Sequence, residues 1–106
     1  MSDRATRYRE QVVDRAVRGP GVSSPAARLA AFDNRGVNER SRALIDKVAR
    51  HAWKVTREDV EATKASGVSE DEIFELTVCA ALGQATRQLQ AALAALDAAT
   101  EWTGAR

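Results

Sequence analysis

The chain has 106 residues, with 16 Lys and Arg against 15 Asp and Glu, one His, one Cys, two Trp, two Phe and one Tyr. That length is one domain, and a net charge of +1 supplies no bulk attraction to nucleic acid or an anionic membrane. The lone cysteine excludes an internal disulfide and a Cys-based metal site, and no run reaches the roughly 20 apolar residues a membrane span needs.

The N-terminus, MSDRATRYREQ, is charged and is followed by no apolar run, so no signal peptide is expected. With a single thiol, this points to a cytoplasmic protein. Aromatic residues are few and Ala is abundant, so the core is thin at about 25 cal/mol per Å² of buried apolar surface. Such a core is often completed by a second copy or a partner chain. Charge is unevenly placed: residues 1–54 carry 12 Lys/Arg and 6 Asp/Glu, while residues 55–106 carry 4 and 9. The two halves have opposite sign and can neutralise each other within one chain or between copies.

Residues 3–18 have helical apolar spacing through Ala5, Tyr8, Val12, Val13, Ala16 and Val17. Arg4, Arg7, Gln11, Arg15 and Arg18 line another face, read as solvated or paired to acids because no aromatics interleave them. Gly19-Pro20-Gly21 ends this helix. Ser24-Pro25 starts a second, with Ser at the N-cap and Pro in the first turn. It runs to about Asp33, with Leu29, Ala30 and Phe32 as candidate core contacts. Asn34-Arg35-Gly36 is turn chemistry. Asn38 caps a third helix over roughly 39–53, whose apolar stripe is Leu44, Ile45, Val48, Ala49 and Ala52.

Thr56 and Asp59 open a short fourth helix, about 57–66, and Gly67 suits the left-handed position after it. Ser69 and Glu72 form a capping box for a fifth helix, and Glu70, Asp71 and Glu72 suit the positive end of its dipole. This helix runs from 70 to about 100, with fraying expected over 103–106. Gly83 marks a kink or a close helix contact. Leu82, Leu89 and Leu96 repeat every seven residues, with Val78, Ala85, Ala92 and Ala99 beside them. The candidate self-association seam is Leu82, Ala85, Leu89, Ala92 and Leu96. An ordinary core face is the competing reading of the same row. No strand pattern occurs. The fold class expected is all-α, a single domain over residues 1–106 of about five helices ending in a long one.

Candidates for chemistry are sparse. His51 is the only histidine and has no H-x-x-x-H or E-x-x-H partner, so no metal site is expected. Cys79 lies in the apolar stretch Leu76–Ala81, far from the helix start, and reads as an inert thiol. Residues 59–78 have helix-turn-helix spacing, but Glu70, Asp71, Glu72 and Glu75 would face phosphates. Nucleic acid is therefore not the expected partner.

The pattern Val55, Thr56, Glu58, Asp59, Val60, Ala62, then Gly67, Val68, Ser69, Asp71, Glu72, Ile73, the Ala80-Ala81-Leu82 run and Arg87 resembles the alkylhydroperoxidase D-like superfamily, which includes the carboxymuconolactone decarboxylases. The match covers about half the chain, its C-terminal part. The resemblance implies an all-helical fold and a homo-oligomer. Redox members use a C-x-x-C motif with a nearby His and Glu in a proton relay, which this chain lacks. Where the family often shows N-x-x-N-R, this chain has Gln84-Ala85-Thr86-Arg87. The resemblance therefore transfers no catalytic residue and implies no cofactor. The function expected is a non-catalytic helical protein that associates with itself or with a catalytic relative. Two alternatives stand beside it. One is a decarboxylase-like or peroxidase-related enzyme using His51 or Cys79. The other is a small regulatory module acting through the arginines of the first helix.

Overall fold

The computed structural model describes residues 3–104, with side chains through Glu101. It is all-α: α1 (Arg4–Arg18), α2 (Pro25–Asp33), α3 (Glu39–His51), α4 (Arg57–Ala65) and α5 (Glu70–Gly104), with one 3-10 turn, Ala52–Lys54, closing α3. No strand occurs among the described residues.

Each helix begins where the sequence supplies an oxygen for its orphan amides. The Asp3 carboxylate accepts from Thr6 N–H at 2.8 Å, the Ser24 hydroxyl from Ala27 N–H at 3.0 Å, and Asn38 Oδ1 from Arg40 N–H at 3.0 Å. Thr56 and Asp59 form a full reciprocal box at α4. At α5 the Ser69 hydroxyl accepts from Glu72 N–H at 3.1 Å. The ends are equally local. Asn34, at φ +51°, closes α2, and Gly67, at φ +107°, turns the chain between α4 and α5. α5 remains helical through Gly104, beyond the point where fraying is expected; Ala105 and Arg106 lie outside the described residues.

α5 contacts each of α1 to α4, and its most extensive packing is with α2. The core joins Val17 of α1, Ala31 of α2, Leu44, Ile45 and Val48 of α3, and Ile73, Leu76, Cys79 and Ala80 of α5, with Val37 and Val68 from the connections. No aromatic residue is among the buried core residues. The expected apolar rows are only partly used. Tyr8 and Val12 of α1, Leu29 of α2 and Ala52 after α3 are exposed, and Arg28 is buried instead.

One residue sets how α2 sits on α5. A Cβ at Gly83 would run into the carbonyl of Phe32, at the end of α2. The glycine thus marks a close contact between helices, where a bare backbone is required. Arg87 Nη1, one turn on, donates to the same carbonyl at 2.7 Å, and its Nη2 donates to Gln84 Oε1 at 3.2 Å. Together they dock and cap α2's last turn. The late arginine of the sequence pattern is therefore a structural clamp.

The molecule is long for its size. Its radius of gyration is 16.5 Å and its extents are 60 × 28 × 21 Å, against about 13 Å for a compact chain of this length. The reason is α5, whose 35 residues span about 52 Å at 1.5 Å per residue. Residues 91–101 are all exposed, so the last third of α5 projects as an arm.

Candidate association surface

α5 has two apolar faces. The inner row is Ile73, Leu76, Ala80 and Gly83, at spacings of three and four, and it faces the other helices. The outer row is Phe74, Val78, Ala81, Ala85, Leu89, Ala92 and Leu96, also at spacings of three and four. With about 100° per residue, the two rows lie roughly 160° apart around the helix. The outer row contains four of the five residues of the expected seam, with Leu82 on its edge.

Exposure along the outer row is graded. Phe74 is 69% exposed, Val78, Leu82 and Leu89 are half-buried, and Ala81, Ala85 and Ala92 are exposed. Leu96 is 61% exposed, and Leu93 also faces solvent. Leu89 is half-buried because it lines the cleft between α1 and α5 with Val13 and Phe32. Beyond it, α1 and the arm of α5 part company, and both show apolar residues to solvent: Tyr8 and Val12 on one, Leu93 and Leu96 on the other.

Trp53 flanks the outer row at its middle. It is 77% exposed and lines a shallow hollow with Val48, Arg50, Ala81, Ala85 and Gln88. His51, at the end of α3, is exposed and meets Trp53 edge to face, with ring centroids 5.2 Å apart. Phe74 and Trp53 were not among the residues expected on the seam. Both have a sequence signal. Phe74 falls four residues before Val78 on the same face, and Trp53 ends an amphipathic helix without continuing its stripe.

A second constellation lies inside the molecule. The Glu75 carboxylate accepts from Val22 N–H and Ser23 N–H, each at 2.8 Å, and from the Ser23 hydroxyl at 2.5 Å. These bonds, Ser23's first, hold it below the usual glutamate range, and the charge of Arg28 acts in the same direction. Gly21 leaves room for this, since a Cβ there would meet the carboxylate oxygens. Arg28 is 3% exposed and donates through Nη1 to the carbonyls of Ala16 at 3.1 Å and Gly19 at 2.7 Å, while its Nε has no partner. Cys79 is 1% exposed, and its thiol donates to the Ala16 carbonyl at 3.5 Å. Burial pushes that thiol up from its ordinary range.

The cluster ties the α1–α2 connection to α5. Arg28 satisfies the last carbonyls of α1, and Glu75 satisfies the amides after Pro20. Reading the sequence alone missed Arg28, because one arginine in an alanine-rich helix carries no sign of where it points. Its only signal is its position three residues before Ala31, on the buried face.

The opposite charge of the two halves is used sparingly. Of the ion pairs seen among the described residues, Lys47–Asp59 at 2.8 Å joins the halves; Arg18–Asp14, Arg50–Asp46 and Lys64–Glu61 lie within one helix each. The arginine face of α1 is exposed, and Tyr8 stands with Arg4, Arg7 and Gln11. That row does include an aromatic, contrary to the expectation. Among the described residues no group of three or more His, Cys, Asp and Glu comes together in a metal-binding arrangement. No described helix is long and apolar enough to cross a membrane.

Comparison with family models, curated proteins and solved structures finds no match to this chain.

Proposed function

We propose that this chain is a non-catalytic helical module that acts by associating with a second copy of itself through the outer row of α5. The observation that carries the reading is the continuous apolar row opposite the core, running from Phe74 into an arm whose residues 91–101 are all exposed. Contiguous apolar surface of this kind marks interaction sites. Scattered exposed leucines do not form one face over six helical turns.

A second copy is the occupant favoured by area. An interface of standard size covers roughly 800 Å² per partner. Phe74 and Trp53, both largely exposed and close to the row, offer roughly 300 Å² between them on the usual area of aromatic side chains. The leucines and alanines along about 35 Å of helix supply the rest. The row also carries no charge of its own, so a like surface meets it without desolvating an ion. The resemblance of residues 55–96 to the alkylhydroperoxidase D-like superfamily, whose members commonly form homo-oligomers, points the same way.

The non-catalytic part rests on Cys79 and His51, the two side chains singled out from the sequence as candidates for chemistry. Cys79 is buried against the α1 backbone with its thiol kept neutral, and His51 stands at the surface against Trp53. Neither is paired with an activating group.

Sedimentation at micromolar concentration tests the reading. The wild type is expected to sediment at twice the chain mass of 11.5 kDa. Leu96→Asp, on the exposed arm, is expected to sediment as a monomer with an unchanged circular dichroism spectrum. A wild-type monomer, or a Leu96→Asp dimer as tight as wild type, overturns it. Leu96 is a cleaner probe than Leu89, because Leu89 also packs in the α1–α5 cleft.

A further inference from the structure

The outer row can be laid against its own reverse. In two antiparallel helices, residues whose numbers have a constant sum face each other. A sum near 170 places Phe74 against Leu96, Val78 against Ala92, Ala81 against Leu89, and Ala85 against its own copy. Ala81 and Ala92 then meet the larger Leu89 and Val78 on both sides of the crossing, Phe74 and Leu96 meet at its ends, and the crossing falls on alanine, where backbones approach closest. We infer that two copies associate antiparallel about a two-fold axis at Ala85, so that the arm of each lies on the Phe74–Val78 face of the other; this rests on the self-association proposed above.

Three observations select this arrangement over a parallel one. First, shape: residues 91–101 project beyond the body. An antiparallel pair lays each arm on a partner's exposed Phe74 and half-buried Val78, while a parallel pair leaves Phe74 to face only Phe74. Second, charge: α5 carries six carboxylates against the single Arg87. Four of them, Glu70, Asp71, Glu72 and Glu75, crowd its start, and a parallel pair sets these beside their copies. The antiparallel pair sets them opposite residues 95–100 of the partner, where Asp97 is the one charge and Glu101 follows, so four carboxylates meet two instead of four. Third, the macrodipoles of two long helices attract when antiparallel and repel when parallel. The symmetry is that of an isologous dimer, the commonest closed assembly. Trp53, beside Ala81 and Ala85, then flanks the crossing from both copies.

Cysteine placement tests this directly, since the native thiol of Cys79 is buried. Phe74→Cys and Leu96→Cys are prepared separately and treated with a short bis-maleimide, alone and as an equimolar mixture. In the antiparallel dimer, Leu96 of one copy lies about 33 Å along the axis from Leu96 of the other. Neither variant alone is then expected to cross-link, and the mixture is expected to give a cross-linked dimer. Ala85→Cys alone is expected to cross-link. Cross-linking of Leu96→Cys by itself, with nothing gained on mixing, overturns the antiparallel register in favour of a parallel one. A dimer in sedimentation with no cross-link in any sample overturns the register and leaves self-association standing. A monomer in sedimentation for the wild type overturns both.

Discussion

Gly83→Ala separates two physical effects by sign. In a solvent-facing helix, replacing Gly by Ala stabilises by about 1 kcal/mol through backbone entropy alone. Gly83 is buried, and its missing Cβ is where the Phe32 carbonyl sits. That neighbour is backbone at the end of α2, held by Arg87 one turn further along α5, so it cannot rotate away as a side chain would. Added methyl groups in a packed site cost about 1–3 kcal/mol, and this contact belongs at the upper end. Shifting α2 also weakens the charged bond from Arg87, worth about 1.5–3 kcal/mol when intact. The net expectation is a loss of about 2 kcal/mol or more. For a domain of this size that lowers Tm by about 8 °C or more. Thermal unfolding followed by circular dichroism reads it. A Tm that rises by a few degrees would refute the argument, because propensity would then have won and the close α2–α5 contact would not exist in solution. A double-mutant cycle adds a second check. Gly83→Ala and Arg87→Met act on one carbonyl, so their costs are expected to fall short of additivity by more than about 0.5 kcal/mol.

Three further outcomes follow from the interior. Arg87→Met leaves the Phe32 carbonyl without its donor and is expected to cost about 1–3 kcal/mol in denaturant unfolding. Glu75 has its folded pKa held below its ordinary value of 4.5, so the unfolded chain binds the proton first as pH falls. Its contribution is complete above about pH 4.5 and disappears as pH drops through the lower folded value. Stability measured against pH should therefore show wild type ahead of Glu75→Gln at neutral pH, with the gap closing in acid. Cys79, buried with its thiol raised, should react with a thiol reagent at neutral pH only after denaturant is added. Rapid reaction of the native protein would show that the α1–α5 packing opens.

The elements were legible because their signals are local. Ser24-Pro25, Asn38, Thr56 with Asp59, and Ser69 with Glu72 each announce a helix start within four residues, and the structure places helix starts at all of them. The close approach at Gly83 was legible as one of two options, since a glycine inside a long helical pattern has few other reasons to be there. What failed was the sorting of apolar residues into inside and outside. Tyr8, Val12, Leu29 and Ala52 have helical spacing, yet spacing says only that residues share a face, not which neighbour covers it. Arg28 failed for the converse reason. Its burial depends on carbonyls of Ala16 and Gly19 that only the tertiary turn at Pro20 brings near. Phe74 lies outside both seven-residue repeats, so its place on the outer row shows only with the three-and-four spacing of the folded helix.

The arm explains why a thin core and a long helix belong together. A free helix of about a dozen residues is marginal in water, chiefly because its first turn is costly to nucleate. Residues 91–101 escape that cost, since they prolong a helix already fixed by Ile73, Leu76, Ala80 and Gly83 on the body. Their composition is also the best available for propagation: alanine and leucine dominate, with no β-branched residue between Thr86 and Thr100. The arm is thus helical before any partner arrives, and the ordering cost of docking is largely met in advance. Among the described residues no aromatic side chain is fully buried in the core, and Phe74, Trp53, Leu93 and Leu96 stay outside, on or beside one helix face. The apolar surface missing from the monomer's interior is the surface an antiparallel pair would bury.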